Sequence, residues 1–183
     1  MNTTATTPLN ARYGWASITL HWVMLVLIAA VYACMELKGF FPKGSALRDG
    51  FETWHFMLGL SVLVLVAVRV IVRLTSTAPP IQPEPPHWQM ALSHAMHWAL
   101  YVFMIGMPLL GWLTLSAQGK EIPFFFTQLP ALVSESKSVA GWIKDIHELG
   151  GTIGYFLIAM HAAAALFHHY FLRDNTLRRM FPF

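Results

Sequence analysis

The chain has 183 residues, 56% of them hydrophobic and only 11% charged, with a formal net charge of +3. That balance excludes an ordinary soluble enzyme, gives no sign of nucleic acid as a partner, and leaves apolar runs long enough to cross a hydrocarbon layer about 30 Å thick. An integral membrane protein is expected.

The first run, from about Ile18 to Met35, carries His21 near its start. It is too long for a signal-peptide core and has only Arg12 as a basic residue ahead of it, so it is expected to stay as a spanning helix. Val31-Tyr32-Ala33-Cys34 makes a poor lipoprotein cleavage site because of its tyrosine, and the MELKGFFPKG that follows reads as an ordered turn. A short loop from Glu36 to Glu52 leads to the second run, about Thr53 to Val72, which opens with His55 and closes with Arg69 and Arg73. The proline-rich loop from Thr75 to His87, TSTAPPIQPEPPH, blocks helix continuation and favours a stiff, extended connector. The third run, about Gln89 to Ser116, holds His94 and His97, spaced to share a face. A longer loop from Gln118 to Asp145 precedes the fourth run, Ile146 to Leu172.

Each run is near or above the roughly 20 residues that a spanning helix needs. The expected fold is therefore all-α, a four-helix transmembrane bundle, with residues 1–183 forming a single domain. The loops are too short for an appended catalytic domain, and no Gly-rich phosphate loop or dinucleotide fingerprint follows a strand pattern. Four crossings put both termini on one side, together with Arg12, Arg69, Arg73, Arg173, Arg178 and Arg179. The opposite side carries Lys38, Lys43, Arg48, Lys120, Lys137 and Lys144. Six basic residues against six leave the orientation undecided by charge.

In the fourth run, His147 and His161 stand fourteen residues apart. On an α-helix that interval returns to nearly the same face about 21 Å further along. An imidazole in hydrocarbon needs a partner. A lone one commonly finds it in backbone or a neighbouring helix, but two at this interval point to haem irons at two depths. His55 is level with His147, and His21 with His161, which gives one pair at each membrane face. His94 and His97 lie near the depth of His21 and rival it for the terminal-side site; their other reading is an interfacial position near headgroups. Gly59, Gly151 and Ala165 each follow a candidate ligand by four residues and leave clearance for a flat macrocycle, although small residues also suit plain helix packing.

Cys34 is the single cysteine, so neither thioether-linked haem nor an iron–sulfur cluster is expected. The haems would be two non-covalent b-type groups. A di-metal or zinc site built from His94, His97, His168 and His169 lacks a carboxylate or thiolate at ligand spacing. Irons with both axial positions filled by histidine have no open site for dioxygen, which makes electron transfer the expected function. Arg69 and Arg73 follow His55 by fourteen and eighteen residues on its face, placed to pair with propionates of the inner haem or to reach the headgroups.

Four segments carry a family resemblance: HW at His21 and Trp22, YACMELKGFFPKG from Tyr32, WHFMLGLSVLVLVAVRVIVR from Trp54, and HAAAALFHHYFLRDNTLRRM from His161. Over nearly all of the chain after its first ten residues, the sequence resembles the small bacterial cytochrome b561 proteins, and most of all their stand-alone superoxide-oxidising members. The resemblance implies His21 with His161 for a cytoplasmic haem and His55 with His147 for a periplasmic one. It further implies a multi-pass protein of the bacterial inner membrane with both termini in the cytoplasm.

The implied activity is that of a superoxide:quinone oxidoreductase, which oxidises superoxide at the periplasmic face and passes electrons through both haems to ubiquinone. On that reading Lys38, Lys43 and Arg48, with Lys137 and Lys144, are candidates to steer the anion, against the plainer reading of solvated loop lysines among acidic neighbours. His168, seven residues beyond His161, and His169 are candidates to hydrogen-bond the quinone and carry its protons; an interfacial histidine pair is the alternative. A second functional class stays open, a membrane-anchor electron relay between quinone and a docked dehydrogenase subunit. A protein partner is allowed by the sequence and not required by it.

Overall fold

The computed structural model describes residues 12–181. Its main elements are four long helices: α1 Trp15–Lys38, α2 Ala46–Thr75, α3 His87–Ala117 and α4 Lys137–Phe167, the last continuing through a wider π turn, His168–Leu172. All four are long and apolar enough to span a membrane. In lipid a backbone must satisfy its own polar groups, and a helix does so segment by segment, so the apolar runs become helices even where they are rich in valine and isoleucine. Their outward faces expose large apolar side chains such as Val26, Val102 and Phe156, a surface that suits lipid and not water.

Each helix runs past the apolar stretch that predicts it. α2 starts at Ala46 because Ser45 sits at its N-cap, where Oγ accepts from the Arg48 backbone N–H at 3.4 Å, and Asp49 in the first turn complements the helix dipole. α4 starts at Lys137, so Lys137 and Lys144 are helical residues and not part of the preceding loop. His55 and His147 consequently stand in the third turns of their helices; both shift by nearly the same amount and stay level. His87, read from the sequence as a loop residue, is the first residue of α3.

The all-helical expectation needs one correction. Between α3 and α4, strand β1 (Ile122–Phe124) pairs antiparallel with β2 (Thr127–Leu129), Ile122 opposite Leu129 and Phe124 opposite Thr127, around a turn formed by Phe125 and Phe126.

α1 packs along α2, α2 along α3 and α3 along α4. Met24, Val62 and Val66 are buried between them, and Leu60, Leu115 and Ile122 form a second buried cluster nearer the hairpin. α1 reaches α4 through side chains: the Tyr32 hydroxyl donates to the Gly151 carbonyl at 2.7 Å, and the Tyr155 hydroxyl to Glu36 Oε1 at 2.7 Å. At Gly154 the helices approach so closely that a Cβ would run into the Tyr32 hydroxyl and the Phe103 ring.

At the opposite end Arg173, in the left-handed region at φ 56°, turns the chain back beneath the bundle. The Asn175 N–H donates to the Gln82 carbonyl at 3.0 Å, and the Gln82 N–H to Asn175 Oδ1 at 2.9 Å. The Trp22 indole donates to the Met180 carbonyl at 2.8 Å, and buried Arg179 donates to the Pro79 carbonyl beneath the Tyr13 ring. These bonds fasten the start of α1 and the proline loop to the segment after α4.

Candidate functional site

Two histidine pairs, one near each end of the bundle, both close on α4. At the hairpin end the rings of His55 and His147 stand 6.1 Å apart, centre to centre, at 81° to one another. They border a largely apolar cavity of about 240 Å³ walled by all four helices and by Ile122 of β1. Gly59 and Gly151, one turn beyond the two histidines, line this cavity, and a Cβ on either would meet no other atom within 4 Å. Gly111 does a different job: it brings α3 against the His147 ring, where a Cβ would lie 3.4 Å from Cε1.

The Nδ1 of His55 lies 3.0 Å from the Val31 carbonyl. A carbonyl only accepts, so Nδ1 carries the proton and the Nε2 lone pair is left for a ligand. Metal-binding histidines commonly have this arrangement.

At the terminal end the rings of His21 and His161 stand 6.3 Å apart. A metal with an imidazole nitrogen about 2 Å away on each side puts two coaxial ring centres roughly 6 Å apart, so both pairs have the right span to hold one. The terminal-end site differs from the other in two respects. First, Arg69 Nη2 lies 3.3 Å from His21 Nδ1; a guanidinium only donates, so Nδ1 accepts and the neutral ring keeps its proton on Nε2. For His21 to bind a metal through Nε2 that contact must give way. Arg69 is suited to a second acceptor, since its Nη1 is buried with no hydrogen-bond partner, and a carboxylate of a bound macrocycle would satisfy it. Second, His97 stands 5.6 Å from His161, and its Nδ1 lies 2.7 Å from the Ser93 carbonyl. His97 thus holds the tautomer with a free Nε2 that His21 lacks. Among the described residues no group of three or more histidines, cysteines and carboxylates could hold a bare metal ion.

The remaining candidates divide sharply. Arg73 is exposed near the end of α2. Lys38 is tied to Glu52 at 3.1 Å, and Arg48 donates to the carbonyls of Lys38 and Phe41 at 3.1 and 3.2 Å, closing the α1–α2 turn. Lys43 is exposed. Lys144 pairs with Glu148 at 2.5 Å, and Glu36 and Glu148 both border the cavity. The structure therefore does not gather these cations into one free patch.

At the other end His168 Nδ1 lies 2.5 Å from Asp174 Oδ2, and the buried Asp174 accepts from the Thr176 N–H at 2.8 Å with its other oxygen. His169 Nδ1 is buried without a hydrogen-bond partner, whereas His94 is exposed on α3. Asp174 was not singled out from the sequence; its signal there is an aspartate six residues after a histidine at a helix end.

A sequence model described as prokaryotic cytochrome b561 matches residues 12–183. Cytochrome b561 homolog 1 of Escherichia coli (strain K12) is 43% identical over 171 residues, 93% of this chain and 97% of the relative. Probable superoxide oxidase CybB of Yersinia pestis is 34% identical over 178 residues, covering 95% and 98%. Cytochrome b561 homolog 2 of Escherichia coli (strain K12) is 27% identical over 175 residues, covering 92% and 90%. Cytochromes b carry b-type haem, and each end of this bundle holds a pair of histidines whose ring centres lie 6.1 or 6.3 Å apart. Matched from Arg12 onward and crossed by four membrane-spanning helices, the chain belongs to the prokaryotic cytochrome b561 family, the multi-pass inner-membrane proteins of electron transfer.

Proposed function

We propose that this protein carries electrons across the inner membrane through two b-type haems, taking them from superoxide at the periplasmic face and delivering them to ubiquinone. The observation that carries the reading is the pair of histidine sites on one helix, with spans of 6.1 and 6.3 Å. The name of the Yersinia pestis relative, 34% identical, supports superoxide as donor. Both termini lie in the cytoplasm on this reading, which puts the His55–His147 cavity on the periplasmic side and residues 1–183 in one domain.

A b-type haem held by two imidazoles would supply one-electron storage. The protein's own part is to hold and insulate. His55 and His147 present nitrogens across the cavity, with Val31 fixing the tautomer of His55. Arg69 holds a carboxylate at the inner site and Arg73 reaches the cytoplasmic headgroups. Lys43 is the steering cation that the turn leaves uncommitted, while Lys38 and Arg48 act on the anion from within their structural contacts. His168, held by Asp174, and His169 with its unpartnered Nδ1 receive the quinone oxygens and pass protons to them. The balance is two superoxide anions, one quinone and two protons giving two dioxygen molecules and one quinol.

A second reading of the inner site has a specific observation behind it. His97, 5.6 Å from His161 and with its Nδ1 on the Ser93 carbonyl so that Nε2 is free, would take the place of His21 in holding the haem. Haem content of purified His21→Ala, His97→Ala and His161→Ala variants decides between them. On the first reading His21→Ala and His161→Ala each lose one haem of two and His97→Ala keeps both. Loss of one haem in His97→Ala with none lost in His21→Ala would select the second. The activity is tested by exposing the two-haem protein to a superoxide flux with and without ubiquinone. Haems that superoxide does not reduce would overturn the oxidase reading and turn attention to a relay between quinone and a docked dehydrogenase.

A further inference from the structure

The hairpin between α3 and α4 has a tip that water would not favour. Phe126 is fully exposed at 106% and Phe125 half so at 50%. Phe125 also adopts φ 53°, the left-handed region that glycine or asparagine normally fills in a two-residue turn. An aromatic pair at such a position is costly in the backbone and again in hydration, so a favourable environment for the rings is called for.

The position of the hairpin supplies one. Ile122 of β1 is buried with Leu60 of α2 and Leu115 of α3. Leu60 lies seven residues inside the apolar run that starts at Thr53, a depth of about 10 Å along the helix. Leu115, by contrast, lies one residue from the end of the third apolar run, so the base of the hairpin sits at the boundary of the apolar span on that side of the bundle. The strands satisfy each other's facing backbone groups, and Gln128 Nε2 donates to Glu121 Oε2 at 2.9 Å, while the outward strand edges keep polar groups that suit the headgroup level and not hydrocarbon. Trp54 on α2 and Trp142 on α4 expose their indoles toward the same end of the bundle, where aromatic side chains settle at the headgroup boundary.

We infer that the β1–β2 hairpin is an interfacial membrane anchor whose Phe125 and Phe126 rings are inserted among the lipids of the leaflet on the His55 side. The occupant is lipid because the hairpin packs on α2, a helix long and apolar enough to span the membrane that exposes Trp54 and Val64 on its outer surface. One consequence is functional. Ile122 walls the cavity of the outer histidine pair, so the anchored hairpin seals that flank against water and leaves the loop side as the approach for a polar donor.

The test is a nitroxide at the tip. Phe126→Cys and, as a second variant, Thr127→Cys are made in a Cys34→Ser background, labelled, and placed as full-length haem-loaded protein in nanodiscs of phosphatidylethanolamine and phosphatidylglycerol. Collision with dissolved oxygen is compared with collision with a water-soluble nickel chelate, and Lys43→Cys serves as the aqueous reference. Oxygen should dominate at both tip positions and the chelate at Lys43→Cys. Chelate-dominated collision at the tip would overturn the inference by placing the hairpin in water. Protection from both agents would overturn it too, by placing the tip against protein, a second copy of this chain or a partner.

Discussion

Two glycines three residues apart on α4 should respond in opposite ways to added side chains. Gly151 faces the outer cavity with nothing within 4 Å of a Cβ built on it. A leucine there leans toward the preceding turn, which is that of His147, and fills space that the macrocycle requires. The substitution also removes a helix-interior glycine, which favours the folded apoprotein by up to about 1 kcal/mol. On the two-haem reading, Gly151→Leu should therefore give a protein that is folded and at least as stable, with one haem fewer than the parent. Gly154→Ala adds a single methyl, but that methyl meets the Tyr32 hydroxyl and the Phe103 ring. Overpacking of this kind costs about 1 to 3 kcal/mol, against the same gain in helix propensity of about 1 kcal/mol, for a net loss of about 0 to 2 kcal/mol. Haem per polypeptide by pyridine haemochrome, with thermal melting of the helical circular dichroism signal, reads both quantities on one sample. Two haems retained in Gly151→Leu would refute the assignment of this cavity to a haem, however stable the variant proved. Loss of both haems would refute the independence of the two sites.

Three further outcomes separate structural from functional roles. Arg48→Gln removes two charge-assisted bonds from a partly buried guanidinium to the end of α1. It should lower stability by about 1 to 3 kcal/mol, visible as a fall in melting temperature; an unchanged melt would mean that the turn does not depend on it. Lys43→Gln should leave stability within about 0.5 kcal/mol and show itself only as a slower, less salt-sensitive reaction with superoxide, and unchanged kinetics would discard steering at this position. Asp174→Asn preserves size but removes the charge that holds His168. Quinone reduction should slow with haem content unchanged and recover in part with Asp174→Glu, whereas equal rates in all three proteins would remove the dyad from the reaction.

The four helices were legible because lipid leaves the backbone no alternative, so apolar length alone decides them. The level of the paired histidines along the bundle was legible for the same reason: counting residues along a helix is counting distance. What could not be counted was where the helices stop. Ser45 and Asp49 extend α2 through LRDGFE, a stretch too polar to be read as spanning, because a cap acts on hydrogen bonds and not on hydropathy. The hairpin was hidden by its composition: a PFFFTQL segment without Asn-Gly or any glycine at its turn gives no short-range signal of reversal. At the inner site the sequence paired His21 with His161, an assignment the resemblance shared, and kept His94 and His97 as rivals by depth. The structure narrows them by tertiary detail that spacing does not contain, the carbonyl of Ser93 behind His97 and the guanidinium of Arg69 against His21. Charge alone did not show that Lys38 and Arg48 also have structural partners, Glu52 and the carbonyls that end α1, while Lys43 is exposed.

One helix supplies a histidine to each pair, and on the two-haem reading this makes the spacing of the two centres a discrete quantity. A residue inserted between His147 and His161 would turn one imidazole about 100° away from its partner, and two would turn it further still. Only additions that nearly complete whole turns restore the facing, and the smallest that does so well is seven residues, about 10 Å of extra length with about 20° of residual rotation. The electron path in such a bundle cannot be stretched gradually to suit a thicker bilayer or a slower transfer. It can only be rebuilt in steps of that size, and each step would have to be matched on the helices that provide the opposing ligands.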